Sequence, residues 1–348
     1  MATLATAAEA TASSRSLHQG DRQWILPAAI LVAVQFIVAI AISYVVGFGG
    51  RPPLLRYATM TLIVSLTGGS VILLPKLWRL WRDKEPRPVA RLWREADRGT
   101  AVFYLFGAQL VGLEMGALTW LKEMIPWVIP YWADPALASA DRTLLGTDAW
   151  RLVPEWLMHP LDVIYVTWGP MMLMTLMPVL CLRPSHKKTQ AMLAYFLVVG
   201  LMGVCGQYFL SSAGPVFYDR IVGSNQFADL LARVDAHADM VKVASDYLWA
   251  SYVQHTDVIG NGISAMPSMH VATTAWLAMS VSSFWPKLRP AAWLYWLVIF
   301  IGSFALGWHY FLDAVIGTAG ALGCWAIARR LLAADNRQFG TRVLAPLV

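Results

Sequence analysis

Long apolar runs alternate with short polar or basic segments along most of this chain. A helix needs about 20 predominantly apolar residues to cross a bilayer core. Eight segments approach or meet that length: 25–48, 55–75, 101–121, 161–182, 190–211, 269–285, 291–308 and 309–331. They predict an all-α polytopic bundle of about eight transmembrane helices, with one membrane domain over 25–331. Residues 1–24 precede it with small, polar side chains, and "MATLATAAEATASSRSLHQG" has too few large apolar groups to offset its ordering entropy. A disordered cytoplasmic head is expected there, and a cytoplasmic tail over 332–348. The head lacks the basic start and apolar centre of a cleaved signal peptide, so the first span is expected to serve as an uncleaved anchor.

Two longer polar stretches interrupt the apolar pattern. The first, about 122–160, has helical apolar spacing at Leu137, Leu144 and Leu145, but too much Trp, Asp and Pro for a span, and predicts an interfacial helix. The second, 212–268, contains "FADLLARVDAHADMVKVASDYLWASYV", whose periodicity predicts one or two surface helices.

Composition sharpens the class: 57% of the 348 residues are hydrophobic and 14% charged, against roughly 25% charged in soluble domains. The net charge of +6 is explained by topology rather than by nucleic acid. With the N-terminus inside, 19 of the 27 Lys and Arg fall on the cytoplasmic side, as the positive-inside rule requires. Eight of them lie in "KLWRLWRDKEPRPVARLWREADR", a Trp-interleaved stretch suited to an anionic leaflet. Both termini are then cytoplasmic, and both long polar stretches face the extracytoplasmic or lumenal side. Cys181, Cys205 and Cys324 all fall within spans, which argues against a disulfide framework or thiolate zinc site.

Two histidines carry the candidate chemistry. His270 opens the sixth span in "GNGISAMPSMHVATT", and His309 opens the eighth in "GWHYFLDAVIG"; both reach the membrane at the same face. His309 and Asp313 are spaced i, i+4, which on a helix puts them on one face. A carboxylate so placed can fix the imidazole tautomer and leave the other nitrogen basic; the pair alone could equally offer two metal ligands. Pro267 disfavours helix at Met266, so a helix beginning near Ser268 is natural. Ser268 can cap it, and the main-chain N–H groups from Met269 onward would form an anion site beside His270. Glu114, in the third span, is expected to pair across helices or to bind a lipid headgroup, in a structural rather than a catalytic role.

These residues resemble a known family. "MPSMH" and "GWHYFLDAVIG" look like the second and third signature motifs of the type-2 phosphatidic acid phosphatase superfamily. "HYFLD" and the upstream "SSAGPVFYD" look more like its inositol phosphorylceramide synthase branch than its simple lipid phosphatases. The resemblance covers roughly 160–331 and implies a six-helix phosphatase-type core. It implies His309 as the nucleophile that takes the phosphoryl group, Asp313 as its orienting carboxylate, His270 as the general acid and Ser268 as a phosphate contact. The reaction so implied is a double displacement through phosphohistidine, with no metal and no cofactor.

Two departures from the family pattern stand out. Where the lipid phosphatases carry an Arg six residues before the nucleophile, this chain has Ser303, and nothing outward-facing matches their Lys and Arg-Pro motif. The cation for a phosphate must come from elsewhere. Arg220, in "GPVFYDR" beside Tyr218, is the leading candidate, with Lys122, Arg142 and Lys242 as others. The expected function is an integral membrane phosphotransferase acting on a lipid phosphate and, as a transferase, on an alcohol headgroup acceptor. A phosphatidate or polyprenyl pyrophosphate phosphatase is the alternative. A transporter with a His/Asp relay would instead need polar groups at mid-membrane, of which only Glu114 qualifies.

Overall fold

The computed structural model describes residues 2–95, 98–254 and 260–343. Among them all regular structure is helical. The elements are α1 Ala2–Val46, α2 Leu54–Arg82, α3 Pro88–Glu95, α4 Arg98–Val128, α5 Asp134–Leu145, α6 Met158–Tyr165, α7 Trp168–Cys181, α8 His186–Phe196, α9 Gln207–Phe209, α10 Pro215–Val222, α11 Ala228–His237, α12 Asp239–Gln254, α13 Met269–Phe284, α14 Arg289–Ala305 and α15 Phe311–Val343. A π-helical stretch, Leu197–Gly206, joins α8 to α9 within one long rod. Six helices are long and apolar enough to cross a membrane, and a seventh crossing is supplied if the bent pair α6–α7 is one span.

The segment 161–182 is not the straight helix its hydropathy predicts. It bends by 40° between Tyr165 and Trp168. Pro170 explains the break: proline has no N–H to give to the carbonyl four residues back, and its ring clashes there. Segment 269–285 forms α13, 16 residues long and shorter than the usual crossing. Its side chains from Val271 to Val281 are nevertheless buried all round. Residues such as Ala272, Thr274, Ala275 and Ala278 are small enough for α7, α8, α14 and α15 to approach closely. α13 is thus the axis of the bundle, and α1 and α2 lie outside it against α4.

The chain termini differ from the sequence expectation. Residues 2–24 are helical and continuous with α1, and α15 runs on to Val343; residues 344–348 lie outside the described residues. Alanine-rich sequence has high helix propensity and needs no core to extend a helix already nucleated by a span. Near this end, Asp21 accepts the Trp24 indole N–H at 2.9 Å and pairs with Lys188 of α8 at 3.0 Å, both charges buried. Lys188 also donates to the Leu182 carbonyl. This clasp fixes α1 to the bundle. Glu114 of α4 accepts a 2.9 Å hydrogen bond from Gln35 of α1, the cross-helix pair expected for it.

The two polar stretches fold over one end of the bundle. The first supplies α5, ended by Gly146 in the left-handed conformation. The second supplies α10, α11 and α12. Together they build an aromatic-rich core around Trp150, Phe217, Phe227 and Tyr310, directly above the N-termini of α13 and α15.

Candidate functional site

His309 does not sit on a helix. α15 begins at Phe311, and Gly307, at φ +78°, turns the chain so that His309 lies in the preceding loop. Its main-chain N–H donates to the Ser303 carbonyl at 3.0 Å. Its imidazole is 4% exposed. Nδ1 lies 2.9 Å from the Ala265 carbonyl oxygen. A carbonyl can only accept, so Nδ1 carries the proton and Nε2 keeps its lone pair. That Nε2 faces His270 Nδ1 at 3.3 Å. The 39 intervening positions are therefore closed into one pair of imidazoles.

Asp313 stands 3.6 Å from His309 Nδ1, beyond hydrogen-bond range. The orienting hydrogen bond predicted for Asp313 is made by the Ala265 carbonyl instead. The reason is local: with His309 ahead of the helix, Asp313 falls on the first turn and accepts the Tyr310 N–H at 2.9 Å, as a capping residue does. Its other oxygen, Oδ1, has no hydrogen-bond partner among the described residues and lies buried next to the imidazole.

His270 is on the first turn of α13. Ser268 caps this helix: its hydroxyl accepts the Val271 N–H at 3.4 Å, and its own N–H donates to the Asp313 carbonyl. The cap geometry matches the sequence reading, but the Ser268 side chain is wholly buried in this role. Met269 turns its side chain toward Gly203 in the π-helical stretch, away from the histidines. The His270 ring is held by Tyr165 and Trp168, whose centroids lie 5.0 and 4.6 Å away. Both aromatics flank the break between α6 and α7.

A cavity of about 300 Å³ opens over both histidines, lined also by Lys122, Tyr165, Trp168 and Trp308. Among the described residues, Lys122 is the one Lys or Arg on its wall. Arg220 is elsewhere. It stacks over Trp249 and pairs with Asp246 at 3.4 Å. Arg142 is held by Asp148, and Lys242 by Asp235. Tyr218 packs against Phe227, and its neighbour Phe217 reaches the cavity in its place. The structure thus brings together His270, His309, Asp313 and Lys122, and leaves Arg220 and Tyr218 outside.

Sequence reasoning missed the scaffold from α5. Asp134 accepts the N–H groups of Ala213 and Gly214 at 2.8 and 2.9 Å and the Tyr310 hydroxyl at 2.8 Å. Asp141 accepts the Phe311 and Leu312 N–H groups that begin α15. Burial pushes the Asp134 carboxyl up, and Asp141 up to about 6. The seven-residue spacing, two turns, was the available signal. The Ser212 main chain and hydroxyl hold Ala265 and Met266, so the acceptor of the His309 proton is itself tethered.

An unprotonated imidazole nitrogen thus faces a second imidazole in a cavity that Lys122 also lines, at one end of a helical membrane bundle. The chain belongs to the PAP2 superfamily, whose sequence model matches residues 138–327. The family match assigns the chain to the phosphatase and phosphotransferase class that works on lipid phosphates. No curated protein and no solved structure gives a significant match to it.

Proposed function

We propose that this chain is a phosphotransferase that moves a phosphate-linked group from a lipid donor to an alcohol, in the manner of an inositol phosphorylceramide synthase, through a phosphohistidine on His309. The observation that carries this reading is the orientation of His309: Nδ1 donates to Ala265 and Nε2 presents a lone pair to the cavity, 3.3 Å from His270. The nucleophile needs no further base, because its lone pair is already exposed by the tautomer.

The donor phosphate enters beside Lys122, whose charge offsets that of the non-bridging oxygens. It displaces the contact between the imidazoles. Nε2 attacks phosphorus, the phosphorus–oxygen bond to the leaving group breaks, and the departing oxygen takes a proton from His270, which enters the step as imidazolium held charged by the bound phosphate and leaves it as neutral imidazole. The phosphorylated imidazole keeps its Nδ1 proton on Ala265, and the Asp313 carboxylate offsets the positive charge that develops. In the second half-reaction a hydroxyl oxygen attacks phosphorus, the P–N bond breaks with its electron pair returning to Nε2, and the hydroxyl proton passes to His270. Tails of the donor lie laterally in the membrane. The excess of Lys and Arg in the loops at the opposite end supports a site on the extracytoplasmic or lumenal face.

Purified protein supplied with labelled phosphatidic acid or phosphatidylinositol, with and without alcohol acceptors, tests this. A new phosphate ester or phosphodiester of the acceptor, formed only when the acceptor is present, supports transfer. Release of phosphate or headgroup phosphate alone, whatever the acceptor, would make the enzyme a hydrolase. Full turnover by His309→Ala in either assay would reject the mechanism.

A further inference from the structure

A second cavity, of about 580 Å³, adjoins the first and shares Lys122, Gly262 and Ile263 with it. We propose that this second cavity binds a neutral polyhydroxylated group, as the acceptor or headgroup partner of the phosphate held at Lys122. The inference rests on the phosphotransferase reading for its role in turnover, but not for the binding itself.

About half of the cavity wall comes from chain outside the family match. Phe48 and Gly50 come from the α1–α2 connection, and Lys122, Glu123, Trp127 and Tyr131 from the end of α4 and beyond it. All of these precede residue 138, where the match begins. The opposite wall is supplied by Ser251, Tyr252 and Asn261. Phe48 and Trp127 meet edge to face at 5.6 Å, and Tyr131 and Tyr252 stand with centroids 6.3 Å apart. Aromatic faces interleaved with a hydroxyl, an amide and a carboxylate suit a ring or chain that carries many hydroxyls on an apolar frame. A second phosphate is disfavoured. Among the described lining residues the one cation is Lys122, on the shared wall, and Glu123 follows it with opposite charge.

The partition between the cavities is a fixed feature of the backbone. Gly262 has φ +91°, and a Cβ there would lie 2.6 Å from Lys122 Cβ and 2.9 Å from its carbonyl carbon. The Tyr131 hydroxyl donates to the Ile263 carbonyl at 3.0 Å and ties this loop down. A hydroxylated group in the second cavity therefore meets the first cavity at the wall shared by Lys122, Gly262 and Ile263. In transfer, its hydroxyl oxygen forms the new bond to phosphorus as the P–Nε2 bond of phosphorylated His309 breaks. The hydroxyl proton goes to His270.

The test titrates the purified full chain with myo-inositol and glycerol, following the tryptophan fluorescence difference between wild type and Trp127→Phe. A saturable change in wild type, absent from Trp127→Phe, is the expected result. Tyr252→Ala removes an aromatic wall, and Val253→Trp fills the mouth from a position 56% exposed. Each should raise the polyol concentration for half-saturation by about tenfold, the loss of one aromatic contact. Hydrolysis of phosphatidic acid should stay within about twofold. If the group arrives attached to the donor, the same variants raise KM for phosphatidylinositol and leave that for phosphatidic acid unchanged. No saturable signal with either polyol, together with no selective effect on phosphatidylinositol, would overturn the proposal. Loss of the phosphohistidine with the titration intact would instead reject the catalytic reading and leave the binding site standing.

Discussion

At the residue scale the site turns on which atom does each job. The sequence marks His270, His309 and Asp313 correctly as neighbours, because motif spacing and a common membrane face are visible in one dimension. It does not reveal that a main-chain carbonyl, Ala265, takes the place assigned to Asp313, because no residue type encodes where a carbonyl points. It also favours Arg220 over Lys122 by proximity to a motif, whereas Arg220 pairs with Asp246 and Lys122 lines the cavity. Lys122→Ala should lower kcat/KM for a lipid phosphate by about 10- to 100-fold, the value of a charge-assisted contact. Arg220→Ala should change it by no more than about threefold, as for an exposed ion pair. Steady-state kinetics of the two variants checks this; the reverse order would return the phosphate to α10. For His270→Ala the leaving group should matter. Turnover of alkyl phosphates is expected to fall by roughly 100-fold or more, while p-nitrophenyl phosphate, whose leaving group needs no acid, should still give a burst of p-nitrophenolate.

At the scale of elements, α5 and α1 do work that hydropathy does not disclose. The interfacial helix predicted in 122–160 is present as α5, but its importance lies in Asp134 and Asp141, which hold the 213–214 loop and the start of α15. Asp141 carries a pH signature. Its folded-state pKa of about 6 lies above the ordinary 3.8, so the folded protein binds a proton more tightly than the unfolded chain. Its contribution to stability is then fully present below about pH 4 and is lost as pH rises through about 6. The stability advantage of wild type over Asp141→Asn should therefore narrow across that interval. Thermal unfolding in detergent between pH 4 and 7 measures it, and a gap that widens with pH would contradict the assignment. Lys188 and Asp21 teach a related lesson. Sequence counts the basic residues near 183–188 only toward topology, because pairing over 167 positions leaves no local trace. Lys188→Ala strands a buried carboxylate and should cost about 3–5 kcal/mol, seen as a lowered melting temperature, whereas Lys187→Ala should cost little.

At the scale of the whole molecule, the class was legible and the interior was not. Eight apolar runs define a membrane bundle, and each has a helical counterpart, since bilayer thickness fixes length and helices alone satisfy their own backbone in lipid. The 40° break at Pro170 and the shortness of α13 depend on how helices pack, which periodicity does not report. The added helices α1 and α2 sit outside the family match, yet their connection walls the second cavity. The account's central claim is that His309 Nε2 becomes covalently phosphorylated. The most direct measurement supplies [³²P]-labelled p-nitrophenyl phosphate to His270→Ala, quenches in base and maps the labelled peptide. Acid-labile, base-stable label on His309, at close to one per chain and absent from the His270→Ala/His309→Ala double variant, is the predicted result. Turnover without any such adduct, or label carried by another residue, would contradict it.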